Sequence, residues 1–224
     1  MTSYSIAIDG PAGAGKSTIA KKLAEELSFI YVDTGAMYRA MAFFVLQNKI
    51  DPKDEKAVSN ACKDIEIKID YKNKEQEIFL NNENVTSLIR SEEIGNAASD
   101  VSKHFHVRKK MVDLQQNLAY HSNVVMDGRD IATVVLPNAN LKIYLTASTD
   151  QRAKRRFLDL KEKGIKGDFD KIREDIIARD YQDMNRENSP LVQAKDAIVI
   201  DSSKMSIEEV VGEIIKIFKE KVDL

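Results

Sequence analysis

One octapeptide near the amino terminus constrains the fold more than any other feature of the chain. Gly10-Pro11-Ala12-Gly13-Ala14-Gly15-Lys16-Ser17 matches G-x-x-x-x-G-K-S/T in full. The apolar run Ile6–Ile8 precedes it, and Ile19, Ala20, Leu23, Ala24 and Leu27 follow on one helical face. Strand, glycine-rich turn and helix form the context in which such a match has a mechanical meaning. Small residues let backbone N–H groups turn inward around phosphates, and the helix adds the positive end of its dipole. Lys16 is placed to reach the β- and γ-phosphates, and the Ser17 hydroxyl to ligate Mg²⁺.

Four more short apolar runs read as strands: Phe29–Val32, Val124–Met126, Leu141–Leu145 and Ala197–Ile200. Most are continuous rather than alternating, as in strands covered on both faces. Helical patterns follow most of them; Ile207, Val210, Val211, Ile214, Ile215 and Phe218 share one face after the last. This order predicts an α/β, P-loop NTPase-like fold with a five-stranded parallel sheet flanked by helices. One region breaks the alternation. Ile65, Ile67, Ile69 and Tyr71 alternate with polar residues, Lys72–Glu75 supplies a turn, and Glu77–Leu80 reads as a return strand. Asn81-Asn82-Glu83-Asn84 then reads as a second turn before Val85. A small antiparallel insert over about 63–90 is expected within a core formed by 1–62 and 91–224.

Composition excludes several classes. The 34 basic and 36 acidic residues nearly cancel, so no polybasic nucleic-acid or membrane surface is expected. The single cysteine, Cys62, excludes an internal disulfide and fits a reducing cytosol. The start, Met1-Thr2-Ser3-Tyr4-Ser5, lacks the basic and apolar regions of a signal peptide, and the longest apolar stretch, Ala40–Leu46, is too short to span a bilayer. The expectation is a cytoplasmic monomer, since no unexplained apolar stripe demands a partner.

A phosphate-binding loop serves several trades. Asn48-Lys49-Ile50-Asp51 matches the guanine-reading N-K-x-D, but it trails an apparent helix over Gly35–Gln47 instead of ending a late buried strand. No aspartate has glycine three residues later, so the switch motif D-x-x-G is missing. The better reading is a polar helix exit before Pro52. Two strand exits look more informative, because such loops converge on the ligand crevice of a parallel sheet. Asp33-Thr34-Gly35-Ala36-Met37-Tyr38-Arg39 is the first, with Asp33 and Thr34 both N-cap candidates. Val124–Asp130 is the second: Asp127 ends an apolar strand in the manner of a Walker B carboxylate near Mg²⁺ or its waters, Gly128 permits a sharp turn, and Arg129 emerges beside the crevice.

Six of the ten arginines lie between positions 150 and 188. Arg152, Arg155 and Arg156 share a helical patch, as do Arg179, Asp183 and Arg186, with Lys163-Gly164-Ile165-Lys166-Gly167 between them as a hinge. An arginine-bearing lid over about 150–188 suits phosphoryl transfer, although a solvated helical hairpin has the same spacing. His104, His106 and His121 form no persuasive metal set, and no general base is evident. A phosphate acceptor needs none, because its second pKa of about 6 leaves it largely dianionic at neutral pH. Many arginines and no base favour a phosphate acceptor over a hydroxyl acceptor.

Taken together, these residues resemble the bacterial cytidylate kinase family over essentially the whole chain. The run from Ile8 through Thr18 looks like that family's P-loop, which adds Thr18 to the ATP site. So do Asp33–Arg39 (DTGAMYR), Asn96-Ala97-Ala98-Ser99, Asp127–Asp130 followed by Ile131-Ala132-Thr133-Val134-Val135, and Arg179–Arg186. DTGAMYR together with DGRDIATVV at this separation is specific, and the hairpin resembles the insert of the longer bacterial members. The resemblance implies transfer of the γ-phosphoryl group from ATP to CMP or dCMP with Mg²⁺. By similarity, Thr34, Ser99, Arg108 and Asp130 surround the cytosine; Arg39, Arg129 and Arg179 hold the acceptor phosphate; and Asp183 takes the ribose hydroxyls. Arg152, Arg156 and Arg186 are implied at the donor phosphates. The rival expectations are a kinase for UMP or another small phosphate acceptor, and a nucleotide-gated ATP-binding switch.

Overall fold

A computed structural model describes residues 3–72, 75–162 and 164–222. The parallel sheet is built from β1 (Ser5–Asp9), β2 (Ile30–Asp33), β6 (Val124–Gly128), β7 (Leu141–Thr146) and β8 (Ile198–Asp201), in the order β2-β6-β1-β7-β8. Each expected strand is present, with some ends displaced by one residue and the carboxyl end of β6 by two. Ile6, Ala7 and Ile8 are all fully buried, so β1 is covered on both faces. Parity sorts its side chains. Ile6 and Ile8 pack with Ile19 and Leu23 of α1 (Lys16–Leu27) and with Ile214 and Phe218 of α8 (Ile207–Val222). Ala7 faces the other way, toward Val32, Met126 and Ile131.

On the second face Ala119 of α5 (Phe105–His121) packs with Ala7, Val32 and Met126, and α5 also joins α2 (Thr34–Gln47), α3 (Glu55–Asp64) and α4 (Glu92–Val101) in an adjoining apolar cluster. The chain leaves β2 directly into α2, because the Asp33 carboxylate accepts from the Ala36 N–H at 3.0 Å and caps the helix. Of the two N-cap candidates the structure uses Asp33, and Thr34 is the first helical residue. Asn48 ends the helix and Lys49 has a left-handed φ of 56°, so the N-K-x-D match is a helix exit.

The insert is a three-stranded antiparallel sheet: β3 (Ile67–Lys72), β4 (Glu75–Leu80) and β5 (Glu83–Asn84). Asn73 and Lys74 of the first expected turn, Lys163 of the expected hinge, and Met1 and Thr2 lie outside the described residues. The second turn is tighter than expected. Asn81 and Asn82 both have positive φ (48° and 68°), and Glu83 and Asn84 already pair with Leu80 and Phe79. Two left-handed residues suffice to reverse a hairpin whose strands twist to the right, so Glu83 and Asn84 are strand and not turn.

The insert docks on β2, an edge strand whose outer N–H and C=O groups have no neighbouring strand. Tyr71 and Gln76, directly opposite across the hairpin, satisfy them. The Tyr71 hydroxyl donates to the Tyr31 carbonyl at 3.1 Å. Gln76 accepts from the Asp33 N–H at 2.7 Å and donates to the Asp33 carbonyl at 3.2 Å.

The helical hairpin α6 (Thr149–Glu162) and α7 (Phe169–Asn185) lies between β7 and β8 in the chain, and Gly164 between its helices has a left-handed φ of 71°.

Candidate functional site

The carboxyl ends of the neighbouring parallel strands β1, β2 and β6 bring Gly10–Ser17, Asp33–Arg39 and Asp127–Asp130 to one end of the sheet. At β1 the chain turns at Gly10, where an added Cβ would stand 1.9 Å from the Leu145 carbonyl oxygen, so only glycine fits. The loop ends at the first turn of α1. Lys16 is buried and donates to the Pro11 carbonyl at 2.8 Å. Burial, and next the Arg129 guanidinium, push its pKa down to about 7, against the pull of Asp127, Asp183 and Asp9.

The Ser17 hydroxyl donates to one Asp127 oxygen at 2.9 Å, and the Tyr31 hydroxyl to the other at 3.0 Å. Burial, and next the Asp33 charge, raise Asp127 to about 6, opposed by Lys16 and by the two hydroxyl donors. Burial and the Asp127 carboxylate hold the Tyr31 hydroxyl well above its ordinary value, so it stays a donor. Hydroxyl and carboxylate in this arrangement form a hard-oxygen pair suited to Mg²⁺, which keeps most of its waters.

Three arginines converge from three elements. Arg129 follows β6, Arg39 lies one turn into α2, and Arg179 projects from α7. Burial first, then Arg129 and Arg39, push the Arg179 pKa down to about 10, although Asp183 and Asp180 pull it up. Buried Nε atoms of Arg39 and Arg179 have no partner among the described residues. Cations held together against their own repulsion, with donors unspent, are suited to take an anion. Arg39 is anchored from behind by Asp33 at 2.8 Å, and Arg90 reaches the same carboxylate oxygen at 3.4 Å. Arg129 is aimed by Asp183, at 2.7 Å. Burial works to raise the Asp183 pKa, but Arg129, Arg179 and Arg186 outweigh it and hold the carboxyl below its ordinary value.

Beside this cluster, Asp130 is buried against Arg108, which also donates to the Ser102 carbonyl at 3.0 Å and lies over the Tyr38 ring. Arg186 stands 3.8 Å from both Asp130 and Asp183 and joins the two groups. Thr34 donates to the Asp127 carbonyl at 2.7 Å. Gly128 allows this approach, since a Cβ there would stand 2.9 Å from the Thr34 hydroxyl. Ser99 on α4 accepts from Gln182 of α7 at 2.6 Å, a link between the helical hairpin and α4.

The three arginines of the α6 patch separate. Arg152 is buried under the P-loop, donating to the Ala12 carbonyl at 2.8 Å, to Asp180 at 2.6 Å and to the Ala147 carbonyl at 2.9 Å. Asp180 in turn accepts from the Ala12 N–H at 3.0 Å. Arg155 donates to the Ser202 carbonyl at 2.7 Å, and Arg156 is exposed. Sequence reasoning passes over Asp180 and Tyr31. For Asp180 a signal exists: Ile176, Asp180 and Asp183 share the inward face of α7 at helical spacing. Among the described residues no group of three or more His, Cys, Asp or Glu side chains could hold a metal ion, and no helix is long and apolar enough to cross a membrane.

A family model described as Cytidylate kinase matches residues 6–220. A protein named Cytidylate kinase from Caldicellulosiruptor bescii is 52% identical over 218 residues, covering 97% of this chain and 96% of its own. One of the same name from Enterococcus faecalis is 49% identical over 221 residues, covering 99% and 98%. Solved structures share the fold at much lower identity. A gluconokinase from Sinorhizobium meliloti superposes with a TM-score of 0.51 at 11% identity, over 98% of this chain and 93% of that one. An uncharacterized protein from Eubacterium ventriosum gives 0.55 at 12% identity, over 96% and 98%.

Proposed function

The chain belongs to the cytidylate kinase family, and from that premise we propose how its crevice transfers the γ-phosphoryl group of ATP to CMP or dCMP. The observation that carries the proposal is electrostatic. Arg129 is the charge that acts most strongly on Lys16, and Arg129 with Arg39 acts on Arg179, so donor-side and acceptor-side cations share one crevice. The rival readings, a kinase for UMP or another small acceptor and an ATP-binding switch, are not favoured by a relative 52% identical over nearly the whole chain.

On this reading Gly10–Thr18 cradle the ATP phosphates, with Lys16 at the β- and γ-oxygens. Ser17 and Asp127, partly through water, would hold Mg²⁺, which when bound would neutralise charge on the donor phosphates. Arg39, Arg129 and Arg179 grip the acceptor phosphate, already a dianion and a competent nucleophile, in line with the donor. Asp183 aims Arg129 and faces the ribose, while Thr34, Ser99, Arg108 and Asp130 surround the cytosine. Arg156, exposed on the lid, reaches the donor phosphates on closure; Arg152 acts from beneath by fixing Ala12. Catalysis is alignment and electrostatic stabilisation, with no covalent intermediate. Residues 63–90 serve as part of the monophosphate-binding region and about 150–188 as the lid, in a cytoplasmic monomer.

A carboxylate accepts from the exocyclic amine of cytosine and repels the carbonyl oxygen that uracil carries there. Asp130→Asn therefore lowers the ratio of kcat/KM for CMP to that for UMP by about tenfold to a hundredfold, the worth of one base-edge contact. The ratio is the readout because loss of the carboxylate also leaves Arg108 without its partner. An unchanged ratio removes Asp130 from base reading.

A further inference from the structure

Asp9 is the last residue of β1, the residue before the P-loop, and only 1% exposed. Its side chain points, like Ala7, toward the cluster containing Ile131 and Ala132. A carboxylate at the rim of an apolar cluster is unfavourable unless both oxygens find donors. They find two consecutive backbone amides: Ile131 N–H donates to Oδ1 at 2.9 Å and Ala132 N–H to Oδ2 at 2.8 Å.

Those amides open a wide helical turn over Ile131–Val135, in which Val135 and Leu136 donate back to the carbonyls of Asp130 and Ile131. The first amides of a helical turn have no carbonyl behind them, and a carboxylate on another strand supplies what the turn lacks. Asp9 and Gly128 are also paired residues of β1 and β6. Arg129 and Asp130 are thus held on both sides by one residue: through the strand pairing before them and through the two amide bonds after them.

We infer that Asp9 is a positioning residue for the acceptor, setting Arg129 and Asp130 relative to the P-loop that begins at the next residue. The inference rests on the roles given above to Arg129 and Asp130. It accounts for a buried carboxylate whose two oxygens are both spent on backbone amides of another loop. Donor loop and acceptor loop leave different strands, and the Asp9 clamp makes their spacing a property of one side chain.

Asp9→Asn tests this. The amide keeps one acceptor oxygen but turns an NH₂ group toward the second backbone N–H. In steady-state assays kcat/KM for CMP falls by about tenfold to a hundredfold, the scale of an ångström-sized misplacement. The CMP/UMP ratio contracts by about fivefold or more, and KM for ATP stays within about twofold of the native value. Equal losses on CMP and UMP, or a rise in KM for ATP that matches the loss, overturn the inference. Amide hydrogen exchange on the native enzyme decides the matter should the variant not fold. Ile131 and Ala132 exchange about tenfold or more slowly than exposed loop amides, and slow further with CMP but not with ATP alone. Unprotected amides, or equal slowing by either nucleotide, overturn it as well. A native enzyme that does not discriminate CMP from UMP sinks the Asp130 reading itself; a discriminating native enzyme and a variant with the same ratio remove Asp9 alone.

Discussion

Replacing Lys16 with methionine lowers the phosphoryl-transfer rate by about 10³-fold, the scale on which enzymes lose rate when a preorganised charge is removed from a developing anion. The fold tolerates the change, because the native ammonium is buried and already held near a pKa of about 7 by burial and by Arg129. The same two features predict a proton coupling. With a pKa of about 7, the protonated fraction of Lys16 in the free protein falls between pH 6 and pH 8. Bound triphosphate favours the ammonium, so the pKa rises on binding, and ATP binding at pH 8 is accompanied by net proton uptake at Lys16. Calorimetry at pH 8 in buffers of different ionisation enthalpy reads that uptake directly, and Lys16→Met abolishes it. Identical uptake by native protein and variant would place the titrating group elsewhere.

Arg179→Met separates function from stability. Its guanidinium is partly buried, faces Arg129 and Arg39, and leaves a buried Nε without a partner among the described residues. Removing it relieves repulsion in the free protein but takes away a donor that the acceptor phosphate uses. We expect kcat/KM for CMP to fall by about 10²- to 10³-fold. The thermal midpoint of the free protein is held or rises by up to about 3 °C, as expected for a domain of this size relieved of a few tenths to one kcal/mol. Pairwise repulsion among the cations sets that sign. A midpoint that drops in step with activity would make Arg179 a structural residue.

Much of this site is legible in the residues alone, because its parts sit where parallel strands end. Gly10–Ser17, Asp33–Arg39 and Asp127–Asp130 each follow an apolar run, and the structure puts all three at one end of the sheet. Other parts leave no periodic trace. The Arg152 patch reads as one helical face, yet Arg152 is buried, Arg155 half-buried and Arg156 exposed. Spacing identifies a stripe of identical residues but not which of them lies deepest. The contacts of Asp180 with Ala12, of Gln76 with Asp33 and of Asp9 with Ile131 join a side chain to a backbone group far away in sequence, and neither partner's type reveals the other. Helices α3, α4 and α5 follow one another or flank the insert, so the strand–helix alternation that exposes the core elements does not announce them. At the Asn81-Asn82 turn the reading erred by two residues, since Glu83 and Asn84 are as polar as a loop although they pair as a strand.

The most direct test of the two-phosphate crevice is ADP release at fixed ATP and Mg²⁺ with CMP, dCMP, UMP, AMP or GMP added in turn. The account predicts strong stimulation by CMP and dCMP and none by AMP or GMP. ATP turnover that no monophosphate alters would contradict it.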